Sequence, residues 1–229
     1  MKKLLVAAAV LALPFAANAA TLGTVTMSGS AHDLTATGPG PQTAQTDRIC
    51  VFCHVPHNSS TTTNGIWNRA LTTTDFTGWG SGSPTIAGTT LPTGANSIGN
   101  GSIRCFSCHD GSATLGVLLN SPTGAALTMT SDTVSGTHTL DPTAMAGNHP
   151  VSTPFAGSTY NTEISRADTT KYYDPATEII PANTVKIYGG AGTYGIECGS
   201  CHEPHDTTFS YFLRADIAGS ALCVNCHAK

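Results

Sequence analysis

All eight cysteines of this 229-residue chain occur in four copies of one pattern, Cys-x-x-Cys-His. This pattern is the attachment signature of c-type haem. Two thiols three positions apart can add to the two vinyl groups on one edge of a porphyrin, and the histidine that follows then lies under the iron as its proximal ligand. We therefore predict four covalently bound haem c groups. Their attachment residues are Cys50, Cys53, Cys105, Cys108, Cys198, Cys201, Cys223 and Cys226, and their proximal ligands are His54, His109, His202 and His227.

Three other kinds of cysteine chemistry compete with this interpretation. An even number of cysteines in an exported protein often indicates disulfides. Two Cys-x-x-Cys pairs can bind zinc, and one such pair can act as a redox dithiol. None of these chemistries requires a histidine directly after the second cysteine. Because all four copies have this histidine in a chain with only nine histidines, the pattern favours haem.

The sixth ligand of each iron determines what the haems can do. Every cysteine is already used, and only three methionines follow residue 19. Because cysteine and methionine are too few, we predict that every iron has two histidine ligands. Such ligation gives low-spin haem of low potential, without a vacant site for a substrate. The chain is therefore expected to be an electron carrier and not an enzyme. Five histidines lie outside the motifs, one more than four irons need: His32, His57, His138, His149 and His205.

Two of these histidines belong to a repeated pattern. The segments 54–57 and 202–205 both read His-x-Pro-His. A histidine three residues after the proximal ligand lies on the same side of that haem, so it cannot reach the far face of the same iron. We predict that His57 and His205 each bind the iron of a different haem, and that the haems concerned lie close together.

The other three candidates differ in their surroundings. His149 precedes Pro150, and a proline at that position keeps the preceding residue extended. His32 lies in a polar N-terminal arm with little hydrophobic surface to hold it to its own chain. We predict that both bind iron, and that His32 binds a haem of an adjacent subunit. His138 lies between flexible flanks, so we regard it as the spare histidine.

Residues 1–19 have the features of a secretory signal peptide, namely two lysines, an apolar stretch over 4–17 and a small-x-small cleavage site at 17–19. We predict that residues 20–229 form one exported domain, extracellular or at the cell surface, or alternatively periplasmic. No later run approaches the roughly 18 apolar residues of a transmembrane helix, so no membrane span is expected.

The composition limits both the partners and the core. Without residues 1–19, eight basic residues stand against 14 acidic ones, for a net charge of −6. Nucleic acid is excluded as a partner, because phosphate binding needs a basic patch. Aromatic residues make up only 7% of the chain, so a dense side-chain core is not expected. We predict a mostly irregular fold with short helices, one of them over 113–119, and few short strands, wrapped around a stacked chain of haems.

Several segments around the motifs and the additional histidines are typical of a known family, namely 50–58, 66–69, 105–111, 148–152 and 32–34. In these segments the chain resembles multihaem c-type cytochromes of metal-reducing bacteria, and in haem number and length it is similar to the OmcE-like tetrahaem cytochromes. The resemblance implies an extracellular homopolymer with head-to-tail contacts, in which one subunit supplies a histidine to a haem of its neighbour. It also implies other c-type cytochromes as electron donors and a metal oxide or another external acceptor.

Two alternatives remain open. The first is a soluble periplasmic tetrahaem shuttle, and the second is a multihaem reductase of a small oxyanion. A soluble shuttle usually keeps a strong charge field, whereas this chain has only 10% charged residues, which favours self-association. A reductase needs an open iron or a pocket with acid–base groups, and the five additional histidines argue against an open iron.

Overall fold

The computed structural model describes residues 27–61, 66–72, 100–141, 145, 148–151, 153–154, 185–186, 188 and 195–225. The predicted signal peptide lies outside the described residues, as do Cys226 and His227 of the fourth motif. Those predictions therefore stay predictions.

The described chain is mostly irregular, and its regular elements are short. Helix α1 spans Asn100–His109 and helix α2 spans Cys198–Cys201. Strands β1 (Thr153–Pro154) and β2 (Gly195–Ile196) pair antiparallel, with Thr153 opposite Ile196. The predicted mostly irregular fold with short helices and few short strands is confirmed, and the stacked chain of haems stays a prediction. Single 3-10 turns cover Ile49–Phe52, Gly136–His138, Ser210–Phe212, Ala218–Ser220 and Cys223–Asn225.

The helix predicted over 113–119 is wrong. This segment forms turns and extended chain, because its backbone groups pair mainly with distant segments, and within it only a turn bond from Val117 N to Thr114 O is described. The N–H of Leu115 donates to the carbonyl oxygen of Asp132, and the N–H of Leu127 donates to that of Gly116. Gly116 allows this approach, since a Cβ atom there would lie 2.0 Å from the Leu127 carbonyl oxygen. Tertiary pairing has therefore overridden the local helical preference.

Buried hydrophobic side chains form three separate small clusters in the described part of the chain, and cysteines of the motifs pack against each cluster. Cys198 packs against the first cluster, Cys53 and Cys108 against the second, and Cys201 against the third. The core is thus divided among the places where the motifs lie. The clusters are Ile103, Phe106 and Met145; Phe52, Leu115, Leu127 and Met129; and Val185, Leu213, Ala215 and Leu222.

Two adjacent buried polar residues join the first two motif regions. The Asn68 side chain is fully buried and donates to the carbonyl oxygens of Val51 and Asn120, over 2.7 and 3.1 Å. The guanidinium of Arg69 is also buried and donates only to backbone carbonyl oxygens in its described contacts, including that of Ser107 at 3.1 Å. Because unpaired buried polar groups are costly, these contacts specify how the two regions pack.

The N-terminal arm is folded around a buried carboxylate. Asp33 is fully buried and accepts hydrogen bonds from the backbone of Gly29 and from Thr35 and Thr37. Burial alone would raise the pKa of Asp33, but these hydrogen bonds outweigh it and hold that pKa at about 2. The chain closes tightly on Asp33 at Gly38, where a Cβ atom would lie 1.6 Å from the Asp33 carbonyl oxygen.

Within the described segments, no helix has the length and the hydrophobicity that crossing a membrane requires.

Candidate haem sites

Each of the four motifs begins in a helical turn. Cys50 lies in the 3-10 turn Ile49–Phe52, Cys105 in α1, Cys198 in α2 and Cys223 in the last 3-10 turn. Residues three apart in such a turn project from the same face, so both thiols of a motif can approach one porphyrin edge. In the first and third motifs the backbone of the proximal histidine bonds back to the first cysteine. His54 N donates to Cys50 O over 2.8 Å, and His202 N donates to Cys198 O over 3.0 Å.

The first and third motifs share a backbone pattern beyond the helical turn. In the first motif, Val55 N donates to Ile66 O and Asn68 N donates to Cys53 O, over 2.8 and 2.9 Å. In the third motif, Glu203 N donates to Phe212 O over 2.7 Å, and the N–H of residue 214 donates to the carbonyl oxygen of residue 201 over 2.9 Å. The chain therefore contains a structural repeat that the unequal spacing of the motifs concealed. Its only sequence signal was the shared His-x-Pro-His.

Backbone carbonyl groups select the tautomer of two proximal histidines. Nδ1 of His109 lies 2.7 Å from the carbonyl oxygen of His138, and Nδ1 of His202 lies 2.8 Å from that of Tyr211. A carbonyl oxygen can only accept, so Nδ1 donates and the neutral ring keeps its lone pair on Nε2. Nε2 is then the atom available to a metal, as expected for a histidine with an outer hydrogen-bond partner.

The carbonyl group that faces His202 lies in a strained turn. Tyr211 and the next residue, Phe212, both have positive φ angles, of 59° and 57°. Such angles are uncommon for bulky non-glycine residues and cluster at functional sites. In this turn the Tyr211 carbonyl reaches His202, while the Phe212 ring stacks on the His32 ring with the centroids 4.3 Å apart.

Two proximal histidines face a second histidine from a distant part of the chain. The ring centroids of His54 and His205 are 6.0 Å apart, with 24° between the ring planes. The centroids of His32 and His109 are 6.1 Å apart, with 67° between the planes. A hydrogen bond also joins His32 to the backbone of Pro204, so both pairs lie against the same His-x-Pro-His segment.

Three of these rings, those of His54, His109 and His32, lie in an environment that favours the neutral form. Burial lowers the pKa of His54 and that of His109. Burial, with a further contribution from His109, lowers the pKa of His32 to about 4. A neutral imidazole is the form that binds iron.

The two ring pairs fit the insertion of haem iron between them. Metal–nitrogen bonds of about 2 Å on each side, with the distance from each nitrogen to its ring centre added, separate two axial imidazoles by about 6 Å. The indole Nε1 of Trp67 is buried without a hydrogen-bond partner in the described structure, and its ring lies 5.7 Å from that of His54. This is where a bound haem would supply an acceptor.

The cysteines of different motifs also approach one another. A hydrogen bond joins the thiols of Cys105 and Cys198, which come from the second and third motifs. Burial, and then the nearby Cys108 thiol, raise the pKa of Cys53 to about 12. Among the described residues no three His, Cys, Asp or Glu side chains gather as they would around a metal ion such as zinc.

The structure does not pair the remaining sequence-predicted histidines with a described proximal ring. His57, His138 and His149 are exposed, and Nδ1 of His149 lies 2.9 Å from the carbonyl oxygen of Pro150. The backbone carbonyl oxygen of His138 accepts the hydrogen bond from Nδ1 of His109. Sequence reasoning missed the roles of Phe212 and of Glu203, which contacts His205. The sequence indicated the role of Glu203 only by placing a carboxylate at the variable position of the second His-x-Pro-His segment.

Comparison with known proteins identifies the last part of the chain. Residues 192–229 match the family described as the doubled CXXCH motif. This segment contains the third and fourth motifs, which begin at Cys198 and Cys223. The match indicates a multihaem c-type cytochrome. Such a cytochrome binds haem c covalently through its CXXCH motifs and transfers electrons. No curated protein matches the chain.

Proposed function

We propose that this cytochrome carries four haems, one on each motif, and that each iron has two histidine ligands. When bound, the haems supply iron that cycles between the ferric and ferrous states. The residues of the chain hold each haem at a fixed place, supply its axial ligands and limit its exposure to water. This role requires no acid–base residue and no open iron.

The two ring pairs carry this proposal. We assign His205 as the distal ligand of the haem whose proximal ligand is His54, and His32 as the distal ligand of the haem on His109. The separations of 6.0 and 6.1 Å suit an iron between each pair. His57 and His149 remain the candidates for the haems on His202 and His227, with His138 as the spare.

Paramagnetic resonance of the oxidised protein at low temperature tests the ligation. The unaltered protein is expected to show only low-spin ferric signals. His205→Ala and His32→Ala should each produce one high-spin haem, as should His149→Ala, whereas His138→Ala should produce none. A high-spin signal in the unaltered protein would overturn the proposal and revive the reductase alternative.

We further propose that the protein is exported and forms an extracellular filament that passes electrons from other c-type cytochromes to external acceptors such as metal oxides. Support comes from the resemblance described above and from the low proportion of charged residues. Exposed apolar side chains provide contact surface for a second copy, among them Ile66, Val117, Leu119, Tyr211 and Ile217. Cryo-electron microscopy of the secreted material is the test, and monomers alone would contradict the filament.

One observation favours the periplasmic shuttle as a second candidate. In the single chain the ring of His32 lies 6.1 Å from that of His109 and stacks on Phe212, which suits a ligand within its own chain. The crossing of His32 to an adjacent subunit stays a prediction. If His32 binds within its own chain, the filament needs contacts other than an iron–histidine bond. Under this arrangement His32→Ala should produce a high-spin haem without removing fibres, whereas a ligand that crosses the interface would lose both together.

A further inference from the structure

The ring of His205 lies at the end of a series of polar contacts. Its Nδ1 lies 3.1 Å from Oε1 of Glu203. The other carboxylate oxygen, Oε2, lies 2.7 Å from Nη2 of Arg214. Arg214 is held in turn, because its Nε donates to the carbonyl oxygen of Gly199 over 2.7 Å. The carboxylate therefore has one oxygen fixed by a cation, and it presents the other to the imidazole.

This contact determines which nitrogen of His205 can bind iron. The guanidinium of Arg214, 2.7 Å from Oε2, forms an ion pair with the Glu203 carboxylate. The ionised carboxylate can only accept, so Nδ1 of His205 donates and Nε2 keeps the lone pair. A carboxylate behind a ligating histidine fixes its tautomer and orientation and raises its basicity.

The chain contains its own comparison for this arrangement. In the first His-x-Pro-His segment, the position that corresponds to Glu203 is Val55, and both residues make the same backbone bond to the later segment. The backbone unit therefore does not require a carboxylate at this position. The side chain of Val55 offers His57 no acceptor, so the two histidines differ in the electron donation that they can provide.

Building on the proposed ligation of the first haem by His205, we propose that Glu203 is a positioning residue that lowers the reduction potential of that haem. A negative oxygen on the Nδ1 proton increases electron donation from Nε2, and this donation stabilises ferric iron more than ferrous iron. In the step concerned, one electron from an external reductant converts ferric to ferrous iron, and no bond to the iron is broken. Outer-shell hydrogen bonding of this kind is one of the means by which a protein sets haem potential.

The competing explanation is an ordinary surface ion pair. The Glu203 side chain is 30% exposed, and exposed pairs contribute little to stability. Asp206 provides a matched control, because it lies next to His205 but directs its carboxylate to Thr208, with contacts of 2.8 and 2.6 Å. Asp206→Asn removes the same charge from the same turn without removing a contact with the imidazole.

The test is a redox titration of the haem-loaded full chain, comparing Glu203→Gln with Asp206→Asn. The readout is the sum of the four midpoint potentials, which reports the whole four-electron reduction however the haems interact. Glu203→Gln is expected to raise this sum by about 59 mV, which corresponds to a tenfold change in the equilibrium constant of a single one-electron reduction in favour of ferrous iron. Asp206→Asn should shift it by clearly less. Equal shifts in the two variants, or no shift in Glu203→Gln, would overturn the proposal.

A third variant separates this inference from the ligation on which it rests. His205→Ala is expected to produce one high-spin ferric haem. If all haems stay low-spin in His205→Ala, the assignment of the ligand fails. If a high-spin haem forms but Glu203→Gln leaves the potentials unchanged, only the role of Glu203 fails.

Discussion

At the scale of single residues, the two histidine pairs differ most in the angle between their rings. The planes of His54 and His205 are 24° apart, whereas those of His32 and His109 are 67° apart. When two axial imidazoles are nearly parallel, both interact with the same one of the two iron d orbitals of π symmetry, so these two orbitals differ in energy. Nearly perpendicular ones act on both orbitals and leave them close in energy. Under the proposed ligation, the same ligand set would therefore create two electronically different irons.

This difference predicts two kinds of low-spin ferric signal. The haem between His54 and His205 should give a rhombic spectrum with three resolved features, and the haem between His32 and His109 should give one strongly anisotropic feature. Low-temperature paramagnetic resonance of His205→Ala should lack the first contribution, and His32→Ala should lack the second. If the two variants lose the same kind of signal, the angles between the rings in the haem-loaded protein differ from 24° and 67°.

At the scale of elements, short turns position the ligands. The closure of the arm on Asp33 brings His32 to the ring of His109, and contacts between the starts of α1 and α2 bring the second and third motifs together. In the latter, Ser102 at the start of α1 donates to the buried carboxylate of Glu197, and its hydroxyl accepts from Cys198 N at 2.9 Å. No long element is needed, because each motif supplies its own helical turn.

The closure of the arm predicts that a glycine substitution displaces a ligand. In Gly38→Ala the new methyl group would lie 1.6 Å from the Asp33 carbonyl oxygen, so the turn must open, whereas in Gly40→Ala the nearest contact is 3.6 Å. Gly38→Ala should therefore produce one high-spin haem although His32 is still present, and Gly40→Ala should produce none. Spectra that do not distinguish the two variants would show that the turn does not hold the ligand.

The contact between the two helices predicts a loss of stability. Ser102→Ala keeps the backbone N–H that donates to Glu197 but removes the hydroxyl, which donates to the same buried carboxylate and accepts from Cys198 N. It should lower the free energy of unfolding by about 1–3 kcal/mol. Ser131→Ala alters an exposed serine and should change it by no more than about 0.5 kcal/mol. Denaturant unfolding of the haem-loaded protein measures both. Equal stabilities would show that the contact contributes little.

At the scale of the whole molecule, the described protein lacks a single core. Its buried hydrophobic residues form three small clusters, each in contact with motif cysteines. With this little aliphatic surface buried in any one place, haems attached at the motifs become part of what the chain packs around. The irregular fold and the attachment of haems are therefore linked, because the haems take the place of a large side-chain core.

The cofactor load predicts a mass and a folding requirement. The intact protein should exceed its polypeptide by four haem masses, which survive acid–acetone extraction because thioethers hold them, and no cysteine should be alkylatable. Chain made without haem attachment should lack cooperative unfolding. Mass spectrometry and denaturant titration check the two points, and a mass with two haems would contradict the count of four.

The sequence by itself determined the local chemistry of this protein. Attachment needs only a helical turn with thiols three positions apart and a histidine next to them, so the Cys-x-x-Cys-His pattern predicted covalent haem and the shared form of the sites. Low aromatic content predicted the irregular fold, which the structure confirms. The helix over 113–119 was predicted wrongly, because residues such as Leu115 bond to a segment far along the chain.

Only the tertiary structure decided which histidines face each other. His205 and His54 are separated by about 150 positions, and no local pattern encodes their approach. His32 appeared weakly anchored because anchoring was judged by hydrophobicity, whereas its ring stacks on the distant Phe212 and hydrogen bonds to Asp33 close the turn around it. The role proposed for Glu203 likewise depends on where Arg214 fixes its second oxygen. Attachment follows from neighbours in sequence, whereas axial pairing follows from how distant turns meet in space.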